Sequence, residues 1–297
     1  MLLQHPFSQW TLSTLNAASS TITKLSLKLI TKASSTWKKF SATLTLPLLR
    51  EFSFINVFIP RDRDVASFVD IESFLVNHPR IVHICLHGVE LPPSSKTVPR
   101  PSFQNLITFD AHPLYTVWLM NSLILSPTAL PSLQRVVLSS KHYGHQDLVS
   151  SRFDSGLKAI AIFPRSIDLT LMFDWGLQFG NWIHSNVLAG VEKSPISRLV
   201  HTDTFSIYCG GTEYTEDVPD NILEWIRLFP ALKHLGFNFP ALKQFNMVSQ
   251  AIRKRLVEPQ YVANVSLLCQ KLETLSVNWE MFDLRLIRSN VESGAGA

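Results

Sequence analysis

The sequence is poor in the residues that mark several large classes of protein. Its 297 residues include only three cysteines and 11 glycines, and 17% of them are charged. Three cysteines cannot all pair with one another, which argues against a disulfide framework of the secreted type. No uninterrupted run of about 18 apolar residues is present, so no membrane-spanning helix is predicted. The first residues lack the charged and apolar regions of a signal peptide, and we expect a cytoplasmic or nuclear protein without membrane attachment.

Catalytic and nucleotide-binding motifs are also missing. The sequence contains no phosphate-binding loop, no dinucleotide-binding glycine pattern, no G-x-S-x-G nucleophile elbow and no H-E-x-x-H pair. We therefore expect no enzymatic activity and no cofactor. Hydrophobic residues, by contrast, make up 46% of the chain, which is enough to bury a large core.

A pattern of apolar residues recurs along the chain. Residues 49–59 (LREFSFINVFI) have the apolar template L-x-x-F-x-F-x-x-V-x-I, and residues 81–91 (IVHICLHGVEL) repeat it. Weaker copies begin at Ile22, Leu106 and Leu133. Others begin at Ile167, Phe205, Leu232 and Leu272, and most steps are about 25–32 residues, close to a leucine-rich repeat.

Proline marks the junctions between these units. The recurring apolar positions of the template are here called anchors. Proline stands two residues before the first anchor of a unit at Pro47, Pro79, Pro131 and Pro230. Since proline cannot continue a helix, each one indicates the stop between a helix and the next strand. The preceding segments have helical periodicity, so each unit is predicted to be a short strand, a loop and a helix.

Stacking of such units predicts the fold. One strand–helix unit cannot bury its apolar edge alone, whereas neighbouring units share a continuous core. We expect an α/β leucine-rich-repeat solenoid, with a curved parallel sheet on the concave side and helices on the convex side. The predicted irregular repeat domain covers residues 1–283, and residues 284–297 are predicted to be a mobile tail.

Two blocks carry a resemblance to a known family. Residues 74–86 (FLVNHPRIVHICL) and 225–237 (WIRLFPALKHLGF) resemble the repeats of F-box/leucine-rich-repeat proteins from mushroom-forming fungi. The resemblance covers roughly residues 20–283 and implies the substrate-recognition part of a cullin-RING ubiquitin ligase. In that family the repeats hold the target protein, and an F-box docks the Skp adaptor.

The sequence departs from the family pattern in two ways. No F-box is found, so Skp adaptor and cullin are expected partners only if a longer form of the protein supplies one. The usual Asn or Cys after the L-x-x-L-x-L core is replaced by Val57, Val89, Pro240 and Glu280. We therefore expect the corners of the repeats to be built differently.

The residues between the apolar anchors are the predicted contact surface. Side chains alternate along a strand, so these residues point away from the core and into the concave face. The candidate protein-binding residues are Glu51, Ser53, His83, Cys85, His87, Asp110, Arg135, Ser139, His234, Asn238, Ser276 and Asn278.

One part of this surface is rich in metal-ligand side chains. By the strand register His83, Cys85 and His87 share one face, and Asp110 and His112 occupy similar places in the next unit. If the two strands are adjacent, an imidazole, a thiol and a carboxylate could converge with ligand types that suit zinc. We interpret the group as a polar recognition surface and predict no metal site.

Two alternatives to a protein-binding scaffold stay open. An α/β enzyme of unknown reaction would show a similar alternation of strands and helices. A weak nucleic-acid binder could use the lysines that precede the first acidic residue, but the net charge of +4 lacks a dense basic stripe. The expected partner is a protein of unknown identity, and nucleic acid is not expected.

Overall fold

The protein is an α/β structure built on a ten-stranded sheet. The computed structural model describes residues 7–29, 34–56, 66–92, 103–126, 128–140, 150–173, 176–209, 218–239 and 247–293. In these ranges ten strands follow one another in chain order, accompanied by ten α-helices, and the sheet does not close into a barrel.

The chain divides into two compact units, residues 1–159 and 160–297. The first unit holds five strands: β1 (Lys24–Leu29), β2 (Glu51–Asn56), β3 (His83–His87), β4 (Thr108–Ala111) and β5 (Arg135–Ser139). Its helices are α1 (Phe7–Ala17), α2 (Ser34–Thr43), α3 (Phe68–Val76), α4 (Pro113–Leu125) and α5 (Ser150–Ile160).

The second unit holds the other five strands: β6 (Asp168–Phe173), β7 (Thr204–Cys209), β8 (His234–Asn238), β9 (Thr274–Val277) and β10 (Glu280–Asp283). Its α-helices are α6 (Gly176–Lys193), α7 (Val218–Ile226), α8 (Met247–Leu256), α9 (Pro259–Leu268) and α10 (Leu284–Glu292). A short 3-10 helix, Pro195–Arg198, follows α6.

The apolar template sets the register of the first unit. Neighbouring strands from β1 to β5 are parallel, and each buried anchor pairs with the corresponding anchor of the next strand. The anchors of β2 to β5 and the apolar residues that precede these strands are at most 2% exposed, so they form one continuous core. One ladder runs Leu25, Phe52, Ile84, Phe109, Val136, and the next runs Leu27, Phe54, Leu86, Ala111, Leu138.

The second unit repeats this arrangement. Strands β6 to β9 are parallel, and their anchors are again aligned and buried. The weaker strands predicted near residues 167 and 205 are confirmed as β6 and β7. The two ladders are Leu169, Phe205, Leu235, Leu275 and Leu171, Ile207, Phe237, Val277.

Aromatic rings fill the space between the sheet and its helices. In the first unit the Trp37 ring of α2 lies 4.9 Å from Phe54 and 5.5 Å from Phe74 of α3, between ring centroids. In the second unit Trp225 of α7 lies 5.5 Å from Phe205 and 5.8 Å from Trp182 of α6. These edge-on and tilted contacts add to the stabilisation from burial.

The predicted helices are confirmed, with one exception to the repeating unit. Helices α3, α4 and α7 each end a few residues before Pro79, Pro131 and Pro230, as the proline pattern indicates. Between β3 and β4, however, residues 88–92 and 103–107 form no helix. The predicted helix is thus not found in the described part of this connection, and residues 93–102 lie outside the described residues.

The C-terminal end differs from the prediction in two respects. Strand β10 pairs with β9 in the antiparallel direction, so the sheet is mostly and not entirely parallel. Residues 284–292, predicted to belong to a mobile tail, form α10, which begins with Asp283 as its N-cap. The guanidinium of Arg288 donates to the carbonyls of Ser266 and Cys269 at the end of α9 and to the carbonyl of Leu272 shortly before β9, which ties α10 to these elements.

Adjacent residues of β2 provide a test of this burial pattern. Phe54 is fully buried and contacts Trp37, whereas Ser53 lies on the opposite face of the strand. We expect Phe54→Ala to lower the free energy of unfolding by about 3–5 kcal/mol, because it leaves a cavity in the core. Ser53→Ala is the matched control and should change it by less than about 0.5 kcal/mol in urea unfolding. Similar losses in both variants would contradict the assigned faces.

His78 links two parts of the first unit through its two ring nitrogens. Its Nδ1 lies 2.6 Å from the Phe74 carbonyl oxygen and acts as the donor, while its Nε2 accepts from the Leu46 amide at 3.0 Å. A protonated ring could not accept the second bond. Burial lowers the pKa of His78, against the opposing effect of the Phe74 carbonyl.

The neutral state of His78 makes the fold sensitive to acid. The unfolded chain takes up this proton near pH 6.5 while the folded protein resists it, so stability falls as the pH drops below about 6.5. The loss can reach about 1.4 kcal/mol per pH unit for each such histidine. His78→Gln, which accepts a hydrogen bond but does not titrate, should show a shallower decrease in urea unfolding between pH 7 and 5. An unchanged slope would contradict this role.

Candidate functional site

The side chains that alternate with the buried anchors form a separate surface, here called the open face. In β1 to β4 of the first unit most of its residues are half-buried or exposed, in contrast to the anchors, whereas Val137 and Ser139 of β5 are buried. They come from five adjacent strands and lie in rows because the register is in step. The open face of the first unit consists of Lys24, Ser26, Lys28, Glu51, Ser53, Ile55, His83, Cys85, His87, Thr108, Asp110, Arg135, Val137 and Ser139.

The structure brings most of the predicted contacts of the first unit together. Glu51 pairs with His83, and Ser53 pairs with Cys85, which pairs in turn with Asp110. A groove of about 250 Å3 runs over these residues and is lined also by Lys24 and Thr108. Sequence reasoning missed Thr108, although its place beside the anchor Phe109 in a weak copy of the template marks it.

Two predicted contacts of the first unit are not accessible. Ser139 is fully buried and His87 is only 4% exposed, although both have the expected strand phase. The prediction that they offer side chains to a protein partner is therefore wrong. Alternation gives the side of the sheet on which a residue lies, and exposure depends on what packs there.

The second unit has its own smaller set of predicted contacts. His234 pairs with Thr274 across β8 and β9, and its Nδ1 lies 2.9 Å from the threonine hydroxyl oxygen. Asn238 and Ser276 are half-buried on the same face. These residues keep the predicted orientation.

Asn278 has a different role from the predicted one. It follows β9 with a φ of 47°, and its side-chain oxygen accepts from the Phe239 amide at 2.6 Å. Its side-chain nitrogen donates to the Phe239 carbonyl at 3.2 Å. The residue therefore ties neighbouring strand ends together. Of the corner residues singled out in the sequence, Val57 and Pro240 lie outside the described residues.

The densest polar group on the open face is Cys85, His87 and Asp110. The His87 Nε2 lies 3.2 Å from the Asp110 Oδ1, and the Cys85 thiol contacts the Asp110 Oδ2 at 3.7 Å. One ligand atom from each residue lies within 4.8 Å of the other two. The convergence expected if β3 and β4 are adjacent is confirmed for these three residues.

Charge stabilises the protonated form of His87. Burial disfavours the imidazolium, but hydrogen bonds and negative charge from Asp110 and Cys85 outweigh that cost and raise its pKa to about 9. A cationic ring is therefore favoured beside the carboxylate at neutral pH. Asp110 and Cys85 thus favour a positive charge at the largely buried His87 side chain.

His112 does not join this group. Its ring is 1% exposed and caps helix α4, where the Leu114 amide donates to its Nδ1 at 3.2 Å. Burial, reinforced by the positive charges of Arg152 and His87, lowers the pKa of His112 to about 3. The neutral ring thus serves the helix N-terminus, where a cation is unfavourable.

The lysines that motivate a nucleic-acid alternative are divided between two surfaces. Lys24 lies on the open face and forms an ion pair with Glu51 at 2.6 Å. Lys38 and Lys39 are exposed on α2, whose Trp37 packs on the opposite side of the sheet. These charges do not form one basic stripe, which weakens that alternative.

No known family model matches the chain, and no curated protein is similar to it. Within the described part of the chain, none of the helices combines the length and apolar character needed to cross a bilayer.

Gly88 controls how the chain leaves β3 directly after His87. Its φ is +66°, a conformation that favours glycine, and a Cβ atom here would collide with the Asn56 carbonyl and lie 2.9 Å from the Asn56 Cβ. Neither the repeat template nor any sequence motif indicates this position. The close approach between successive corners is visible only in the folded chain.

Two of the described glycines have a positive φ, and they allow backbone strain to be compared with side-chain collision. Gly190 also has a positive φ, but a Cβ atom there would meet nothing within 4 Å. We expect Gly190→Ala to lower the free energy of unfolding by about 1 kcal/mol and Gly88→Ala by roughly 2–3 kcal/mol, because only Gly88 adds a collision to the strain. Urea unfolding of both variants measures the difference. Equal losses would contradict the close contact with Asn56.

Proposed function

We propose that the protein is a binding scaffold of the leucine-rich-repeat type that recognises another protein through the open face of its first unit. In this proposal the strands form the concave side of a solenoid and the helices the convex side. The observation that carries the proposal is the groove on this face, where polar residues from β1 to β4 are aligned by a single parallel register. Sequential parallel strands are the arrangement found in solenoids.

The size and chemistry of the groove favour a protein partner over a small molecule. At about 250 Å3 it is smaller than the 300–1,000 Å3 typical of ligand pockets. It offers both signs of charge through Lys24 and Glu51, together with hydroxyl and imidazole groups from Ser53, Thr108 and His83. Such a shallow surface of mixed polarity is typical of the polar rim of a protein–protein interface, where several weak contacts are made.

The resemblance to F-box/leucine-rich-repeat proteins suggests a setting for this binding. A target held on the repeats would be presented to a cullin-RING ubiquitin ligase if a longer form supplies an F-box. Co-purification of Skp adaptor and cullin with that form, together with ubiquitin transfer to the bound target, would support the setting. Binding of a target without either subunit would limit the function to recognition.

A photo-crosslinking amino acid tests which surface binds. We expect a benzophenone side chain at Ser53 or Thr108 to capture one defined protein in cells, identified by mass spectrometry, because both residues line or border the groove. The matched controls are Val69 and Val76, which are exposed on α3 at 65% and 49%. Capture of the same protein from α3, or none from the open face, would contradict the proposal.

The captured protein then allows a quantitative test. Glu51→Lys combined with Lys24→Glu exchanges the two charges at one end of the groove and preserves their ion pair. We expect affinity to fall at least about tenfold, because like charges then meet the partner. The melting temperature should not change, since both side chains are largely exposed. Unchanged affinity would show that this end of the groove does not contact the partner.

A further inference from the structure

Three side chains of different chemistry point at one position on the open face. We propose that Cys85, His87 and Asp110 bind a zinc ion through the thiolate, the imidazole Nε2 and a carboxylate oxygen, and that the ion displaces the imidazolium and thiol protons to solvent as it binds. The set combines one soft, one borderline and one hard ligand, a combination that suits Zn2+. This inference goes beyond the proposed scaffold function and does not depend on it.

The distances agree with a tetrahedral zinc site. Bond lengths of about 2.3 Å to sulfur and about 2.0–2.2 Å to nitrogen and oxygen place neighbouring ligand atoms roughly 3.3–3.6 Å apart. The His87 Nε2 and the Asp110 Oδ1 are 3.2 Å apart, and the Cys85 Sγ and the Asp110 Oδ2 are 3.7 Å apart. These two contacts involve different oxygens of the Asp110 carboxylate, and one ligand atom from each residue lies within 4.8 Å of the other two. Side-chain movements of up to about 1 Å would bring the three atoms to tetrahedral spacing.

The sheet holds these ligands in place. Cys85 and His87 are two residues apart on β3 and therefore lie on the same side of the strand. Asp110 is the direct register partner of Cys85 on β4, so main-chain hydrogen bonds set the spacing between thiol and carboxylate. Ligands on rigid strands need little rearrangement when the metal binds.

Burial and access both fit a bound ion. The His87 side chain is 5% exposed, which limits competition from water, while the Asp110 side chain is 25% exposed. Cys85 and Asp110 also line the groove of the open face, so an ion has an entry path. Three protein ligands leave a fourth tetrahedral position for water or for a side chain of a partner.

The geometry favours coordination over a nucleophilic cysteine relay. In such a relay the histidine stands between the thiol and the acid and uses a different ring nitrogen for each. Here the thiol contacts the carboxylate directly as well as interacting with His87, and the His87 Nε2 faces that same carboxylate. The three groups thus surround one point and do not form a line.

Cobalt spectroscopy and zinc titration of the purified full-length chain test the site. We expect one Zn2+ per chain in isothermal titration calorimetry, and a near-ultraviolet thiolate-to-metal band when Co2+ is bound. Cys85→Ser should abolish the band. His87→Gln and Asp110→Asn should each weaken zinc affinity by about a hundredfold or more, since even neighbours of metal ligands contribute tenfold to a hundredfold.

Matched variants distinguish this site from adventitious binding. His83→Gln changes an exposed imidazole on the same strand and face, and Cys209→Ser changes a buried thiol in the second unit. Both should keep the stoichiometry, the affinity and the cobalt band. Circular dichroism and the melting temperature of each metal-free variant show whether it is folded, and zinc should raise the melting temperature of the parent but not of Cys85→Ser.

Several results would overturn the assignment. One is the absence of a thiolate–cobalt band in the parent chain, and another is retention of the band in Cys85→Ser. A third is loss of zinc binding in the control variants His83→Gln or Cys209→Ser while the three ligand variants keep the affinity of the parent. Folded ligand variants that bind zinc as tightly as the parent would overturn it as well.

Discussion

The structure depends on one constraint, namely that a single β-strand with a buried anchor pair cannot cover its own apolar side. In each unit the anchors of one parallel strand pair with the anchors of the next, and helices close the layer above them. Residues such as Phe54 and Phe109 are fully buried only because neighbouring strands are in step. A slip of one residue would turn the apolar set to the open face, so burial and register determine each other.

The same register organises the polar surface. Once the anchors are aligned, the residues between them must lie in rows on the other side of the sheet. Cys85 and Asp110 are 25 positions apart in the sequence and become neighbours because Ile84 and Phe109 are paired in the core. The candidate binding groove and the proposed zinc site are thus consequences of how the apolar residues pack.

The successive strand–helix units are not identical, and individual residues make different contacts at the ends of their strands and helices. His78 accepts from the backbone of Leu46, and Asn278 holds both the amide and the carbonyl of Phe239. Gly88 allows the chain to pass close to Asn56, and Arg288 donates to the carbonyls of Ser266 and Cys269 at the end of α9. Each satisfies or accommodates main-chain groups that a regular asparagine ladder would otherwise serve. None of these contacts recurs among the described residues, which explains why no repeat pattern indicates them.

The sequence by itself determined strands β1 to β9 and their order, the buried anchors and the side of the sheet on which Glu51, Ser53, Cys85 and Asp110 lie. It could do so because alternation and helical periodicity are local properties of the chain. Only the tertiary structure decided that Ser139 and His87 are buried, that His112 caps a helix, that β10 reverses direction and that residues 284–292 form a helix. Those outcomes depend on contacts between residues far apart in the chain, and a local pattern carries no information about which distant groups will pack against it.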